Sequence, residues 1–144
     1  MSKSKGNVVV PTSLLESYSS DAVRYWAARA RLGVDTAYDE SVFKIGVKLR
    51  TKIFNASKFV INNISEFKQE DLKLSNVKNI LDLSFLKLLD DSVNSSTKSL
   101  NAFDYAQALQ EIETTFWIFC DSYLELVKTR AYQGEGEQLS LIHI

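Results

Sequence analysis

Between Glu40 and Asn63 the apolar residues Val42, Ile45, Leu49, Ile53, Ala56 and Val60 recur at intervals of three and four residues. That spacing matches the turn of an α-helix and predicts one long helix, starting at Asp39 or Glu40 and ending near Asn63. Phe85, Leu86, Leu89 and Val93 predict a second helix over Ser84–Ser99. A third is expected over Ala102–Tyr132, capped by Asn101, with Phe103, Ala106, Leu109, Phe116, Cys120, Tyr123, Leu124 and Val127 inward. Upstream, Ser13 and Glu16 stand at capping-box spacing in a short helix over Thr12–Tyr18. Ser20 is positioned to cap a helix over Asp21–Arg31, with Asp21 on its amino-terminal dipole and Gly33 ending it.

The intervening stretches break these patterns. NVVVP (7–11) reads as extended, because a residue before proline is pushed away from helical geometry. Ser65–Lys78 is polar and irregular, a connection holding at most a turn of helix. No internal repeat and no period-two strand run stands out. The expected class is all-α: antiparallel helices in a bundle, preceded by a loop and short linking helices. The expected divisions are 1–38 (loop and linking helices), 39–138 (bundle, truncated) and 139–144.

The last division covers a tail, LSLIHI, with no polar partner face. Those six residues match one reading frame of a sequencing-library adapter, so they are expected to be foreign and the natural protein to continue. A frayed carboxyl terminus is the plainer alternative.

Composition narrows the function classes. Of 144 residues, 45% are apolar, enough for a packed core. The single cysteine, Cys120, excludes an intrachain disulfide framework and fits a reducing compartment. No apolar run approaches the ~20 residues of a membrane span, so no membrane partner is expected and a cytoplasmic setting is.

A net charge of −1 hides an asymmetry. Residues 1–65 carry ten Lys/Arg against five Asp/Glu, a net of +5, and residues 66–144 carry seven against thirteen, a net of −6. The front of the chain can therefore face a polyanion.

The positive charge is organised. At about 100° per residue, Lys44, Lys48, Lys52, Asn55, Lys58 and Phe59 fall within roughly a third of the long helix's circumference, opposite its apolar stripe. No acid occurs between Ser41 and Ser65. Such a face suits an RNA backbone and a splayed base, or it is simply a solvated helix surface. The opening MSKSKGN supplies a second candidate. Lysine, serine and glycine side by side can hold a polyphosphate, although a plain disordered terminus has the same composition. Trp26, Trp117 and Tyr123 read as core. Asp21 with Arg24, and Glu125 with Lys128, are surface pairs at helical spacing. Cys120 is read as an inert buried thiol, since no histidine is placed to activate it and no metal-ligand cluster exists.

MSKSKGN followed by PTSLLESYSSDAVRYWAARARLGVDTAYDE resembles the signature loop and following helix of the class I aminoacyl-tRNA synthetases. Three further stretches, ARLGVDTAYDE (30–40), KIFNASKFV (52–60) and FWIFCDSYLELVK (116–128), are similar to the valyl branch of that family. The resemblance covers about residues 1–132. The isoleucyl branch shares the loop but is expected to differ at the last two stretches.

The family loop is Lys-Met-Ser-Lys-Ser, and the chain starts at its second residue. Met1 is therefore expected to be an interior residue of a longer protein. The family's His-Ile-Gly-His motif is absent, and the only histidine is His143.

The resemblance implies activation of valine with ATP and its transfer to tRNA(Val). Lys3 would meet the triphosphate as pyrophosphate leaves, with Ser2 and Ser4 donating hydroxyl hydrogens and magnesium entering with ATP. Arg24 would touch the inside of the tRNA, and the bundle would hold the anticodon stem and loop. The chain by itself is not expected to be catalytically competent. A stand-alone helical interaction module with a basic front is the competing class. An upstream reading frame coding for the missing lysine and histidine motif would separate the two.

Overall fold

The computed structural model describes residues 11–64 and 73–133, and among these every regular element is helical. The all-α expectation holds. The chain divides into two compact units, Met1–Ile53 and Phe54–Ile144. The division falls inside the long helix.

In the first unit, α1 spans Pro11–Tyr18 and α2 spans Ser20–Arg29. Proline suits the first position of α1, where its missing N–H would have had no intrahelical acceptor. The joint is Ser19, held at φ 78°, and its hydroxyl accepts a hydrogen bond from Arg50 Nη1 at 2.8 Å. Ser19, not Ser20, precedes α2, and its side chain makes no capping bond.

Helix α2 stops two residues before the expected Arg31, because Ala30 is already extended. Gly33 lies in the turn beyond, closed by Val34 N–H to the Arg31 carbonyl at 3.3 Å. Its φ of +78° is the geometry a type II turn requires at that position.

Helix α3 spans Glu40–Ile64, within a residue of its expected ends. Asp39 starts it: its carbonyl accepts from Val42 N–H at 3.2 Å and its carboxylate from Ser41 N–H at 2.8 Å. These bonds satisfy donors that a helix start leaves open. Bonding to Ser41 holds the Asp39 carboxyl below the usual range.

The core of this unit is aromatic. Phe43 is fully buried, with the rings of Tyr18, Trp26 and Tyr38 at 5.5, 5.6 and 5.8 Å. Gly46 makes room for α2: a Cβ there would lie 3.0 Å from Tyr25 Cδ1 and 3.2 Å from Ala22 Cα.

In the second unit a 3-10 turn, Leu74–Asn76, leads to α4, Ile80–Asn101. Asn79 caps α4 by accepting from Leu81 N–H at 3.0 Å, so the helix starts four residues ahead of the expected Ser84. It ends in a Schellman motif with Phe103 at φ 60°. Phe103 N–H reaches the Leu100 carbonyl and Asp104 N–H the Ser99 carbonyl, both at 3.0 Å.

Asp104 then caps α5, Tyr105–Ile118, through Gln107 N–H at 3.0 Å. Asn101 is thus the end of α4, not the cap of the next helix, and Phe103 is an exposed turn residue, not an inward one. A π-helical segment, Phe119–Tyr123, joins α5 directly to α6, Leu124–Gln133.

Burial corrects part of the expected stripes. On α3, Leu49 and Ala56 are buried as expected, but Ile45 and Ile53 are exposed and Phe43 is the buried anchor. On α4, Leu89 and Val93 are exposed. The inward face there runs through Asp82, Phe85 and Ser96. Ser92 on the same helix is bonded across the hairpin to Thr115 of α5 at 2.8 Å. The core of the second unit is Tyr123, Val127 and Ala131, packed by Phe59, Leu81, Phe85, Phe119 and Leu124. Phe85 stacks on Tyr123 at 4.5 Å.

Candidate nucleic-acid interface

Helix α3 presents its lysines away from its buried residues. In the first unit Lys44 and Lys48 are exposed and Lys52 is partly exposed, while Phe43, Gly46 and Leu49 are buried. In the second unit Asn55 and Lys58 are exposed and Ala56 is buried. The sequence pattern sets a fixed order of side chains around the helix, so burial of one face by packing leaves the lysines in water.

Phe59 has a different place from its neighbours. Its ring is half-buried and packs against the Tyr123–Val127–Ala131 core, so only part of it faces outward.

The amino-terminal end of the face is tuned by a carboxylate. Lys44 Nζ lies 3.2 Å from Glu40 Oε1, with both side chains more than half exposed. The acid precedes the base by four residues, the more favourable order along a helix. The Tyr18 hydroxyl donates to the same carboxylate. That bond, and then Lys44, lower the Glu40 carboxyl from its ordinary value, while Glu40 pushes the Tyr18 hydroxyl up to about 12. Lys44 therefore shares its charge with an adjacent carboxylate.

Arg24 forms its pair with Asp21, and both side chains are largely in solvent. Its guanidinium is accessible on α2, one residue from the buried Tyr25. Trp26 stacks on Phe43, as a core residue would. Cys120 is buried. Lys3, Ser2 and Ser4 lie outside the described residues, as does His143.

One polar cluster escaped the sequence reading. Asp82, with no exposed surface, accepts from Tyr123 Oη at 2.9 Å and from Arg130 Nη2 at 2.8 Å on Oδ1. Arg130 Nη1 reaches Oδ2 at 3.2 Å. This clamp ties the first turn of α4 to the π segment and to α6. It reads as architecture. Its only visible signal was an acid in a first helical turn, which is ordinary on dipole grounds.

Two family models match the chain. The family of tRNA synthetases class I (I, L, M and V) matches residues 1–39, and the anticodon-binding domain of tRNA ligase matches residues 82–143. The chain thus belongs to the class I aminoacyl-tRNA synthetase family.

Within that class its relatives are valine–tRNA ligases. It is 51% identical to the one from Thermobifida fusca, covering 96% of this chain and 15% of that protein. Against the Tropheryma whipplei (strain Twist) enzyme it is 46% identical over 99% of this chain and 18% of the relative. Against Wolbachia pipientis wMel the figures are 48%, 97% and 16%. The chain spans less than a fifth of the length of these curated relatives.

Proposed function

We propose that this chain is the part of a valine–tRNA ligase that carries the ATP-facing loop and helices that grip tRNA(Val). The observation that carries the reading is the order of the matches: a synthetase segment, then an anticodon-binding segment, in one chain similar to valine–tRNA ligases along nearly all its length. The exposed basic side of α3 gives that reading a physical surface.

In the complete enzyme valine attacks the α-phosphorus of ATP and pyrophosphate leaves. Charge grows on the leaving group, and the Lys3 ammonium is the group of this chain suited to meet it, with the Ser2 and Ser4 hydroxyls as donors. Magnesium arrives with ATP as part of the substrate. Lys48, Lys52 and Lys58 neutralise tRNA phosphates, Lys44 less so because Glu40 shares its charge, and Arg24 contacts the tRNA from α2. A cytoplasmic setting goes with the valine–tRNA ligase reading. Among the described residues no helix is long and apolar enough to cross a membrane.

A chimera tests the loop. The matching stretch of the Thermobifida fusca ligase is replaced by this chain, and valine-dependent pyrophosphate exchange is measured. Lys3→Ala in that chimera should lower the rate constant of activation far more than it raises KM for valine, since the charge it meets develops after the ground state. An effect confined to KM for valine would remove Lys3 from the chemistry.

A further inference from the structure

The second half of α3 leaves a large aromatic residue in water. Phe54 is 68% exposed, and Ile61, two turns further on, is 61% exposed. Seven residues of helix bring the two within about 20° of each other around the axis and about 10 Å along it. Ser57 and Lys58 stand between them, both exposed. All four belong to the same compact unit. Beside them runs an apolar groove of about 310 Å³, lined by Ser57 and Ile61 of α3 and by Phe116 of α5 and Phe119 of the π segment.

A scattered apolar residue on a surface is ordinary. Phe54 is not scattered: it stands one turn before the groove residue Ser57 and one turn before the cation Lys58. Charge narrows what can lie on such a face. No acid occurs between Ser41 and Ser65, so a polyanion is attracted there. An unstacked base of single-stranded RNA combines the two properties required, a flat apolar face for a ring and a phosphate for a cation. Phe59, the ring the helical pattern favours for stacking, is half-buried and packed on the Tyr123–Val127–Ala131 core, whereas Phe54 is exposed.

We propose that Phe54 is the stacking platform for one unstacked base of the RNA loop whose backbone Lys58 holds, the base lying across the mouth of the groove at Ser57 and Ile61. The inference rests on the tRNA-binding reading above and adds to it the ring that takes a base. Stacking tolerates any base, so Phe54 supplies affinity for unpaired RNA rather than a choice of sequence. Lys58 supplies the part of the affinity that salt weakens.

The test uses the 144-residue chain and two RNA probes. One is the anticodon stem–loop of tRNA(Val); the other is a duplex of the same stem without the loop. Affinities are measured across a range of salt for the unaltered chain, Phe54→Ala, Phe54→Leu, Phe54→Trp and Lys58→Ala. Circular dichroism follows helix content, and sedimentation velocity follows self-association. Phe54 is exposed and alanine and leucine are better helix formers, so folding should survive these changes.

Phe54→Ala should weaken stem–loop binding about tenfold to a hundredfold, leave duplex binding as it was and keep the salt slope. Phe54→Leu keeps apolar bulk but cannot stack, so it should lose nearly as much, while Phe54→Trp should bind as well as the unaltered chain or better. Lys58→Ala should weaken both probes and lower the slope by roughly 0.7–0.9. If Phe54→Ala binds the stem–loop as tightly as the unaltered chain, the inference falls and the tRNA-binding reading stands. The same holds if leucine restores full binding, or if Phe54→Ala abolishes self-association and leaves RNA affinity unchanged, since the face is then a protein contact. If the unaltered chain binds neither probe, both readings fall.

Discussion

Arg130→Met is expected to destabilise the chain more than Asp82→Asn, although the two changes break the same pair. Asp82 has no exposed surface, whereas the Arg130 side chain keeps 21% of its surface in water. Removing the arginine leaves a buried carboxylate with one neutral donor, the Tyr123 hydroxyl at 2.9 Å. Stranding a buried charge costs about 3–5 kcal/mol, and the surviving tyrosine bond places the loss near 3. Asp82→Asn instead removes the charge at its buried end. The amide oxygen still accepts from Tyr123, and the guanidinium can turn to water, so about 1–2 kcal/mol is the expected loss. Urea unfolding followed by circular dichroism reads both. With a slope of about 1–3 kcal/mol per molar urea, Arg130→Met should lower the midpoint by roughly 1 M or more. If Asp82→Asn proves the costlier of the two, or Arg130→Met costs under about 1 kcal/mol, the clamp does not hold the helices together in the way its geometry implies.

Other perturbations test separate parts of the structure. Phe103→Gly should stabilise by about 1 kcal/mol, less the edge contact with Tyr105, because Phe103 sits exposed at positive φ; the readout is the same urea midpoint. Gly46→Ala should cost about 1–3 kcal/mol, since its Cβ meets Tyr25 at 3.0 Å and the Ala22 backbone at 3.2 Å; an unchanged midpoint would show that α2 moves aside freely. The Tyr18–Glu40 bond should contribute over a bounded pH range. It fades as pH falls through the lowered Glu40 value, and again as pH rises from 10 towards the Tyr18 value of about 12. Glu40→Gln should shift one of the six tyrosines back towards ordinary ionisation in an absorbance titration.

The helices and the lysine side of α3 were legible because each follows from local periodicity. The clamp was not, since Arg130 and Tyr123 lie 48 and 41 residues from Asp82 and nothing local links them. The π segment was hidden too. One wider turn shifts the register of Cys120, Tyr123 and Val127 while leaving an apolar spacing that a single unbroken helix explains equally well. The break before α5 should have been visible: Asp104 and Gln107 stand at capping-box spacing. What obscured it was Phe103, an aromatic in a turn conformation that normally selects glycine or asparagine. On α3 the period was right, yet Phe43 replaced Ile45 as the anchor because three aromatic rings from the preceding segment gather around it.

Salt dependence tests most directly whether the exposed basic side of α3 holds valine tRNA. Binding of tRNA(Val), and of the same tRNA with its anticodon replaced, is measured for the chain and for Lys48→Ala with Lys58→Ala across a range of salt. The unaltered chain should prefer the valine anticodon and weaken steeply with salt, and each lost phosphate contact should reduce the slope of log affinity against log salt by roughly 0.7–0.9. A double variant with unchanged affinity and slope, or a chain indifferent to the anticodon, would make this side of α3 an ordinary solvated surface.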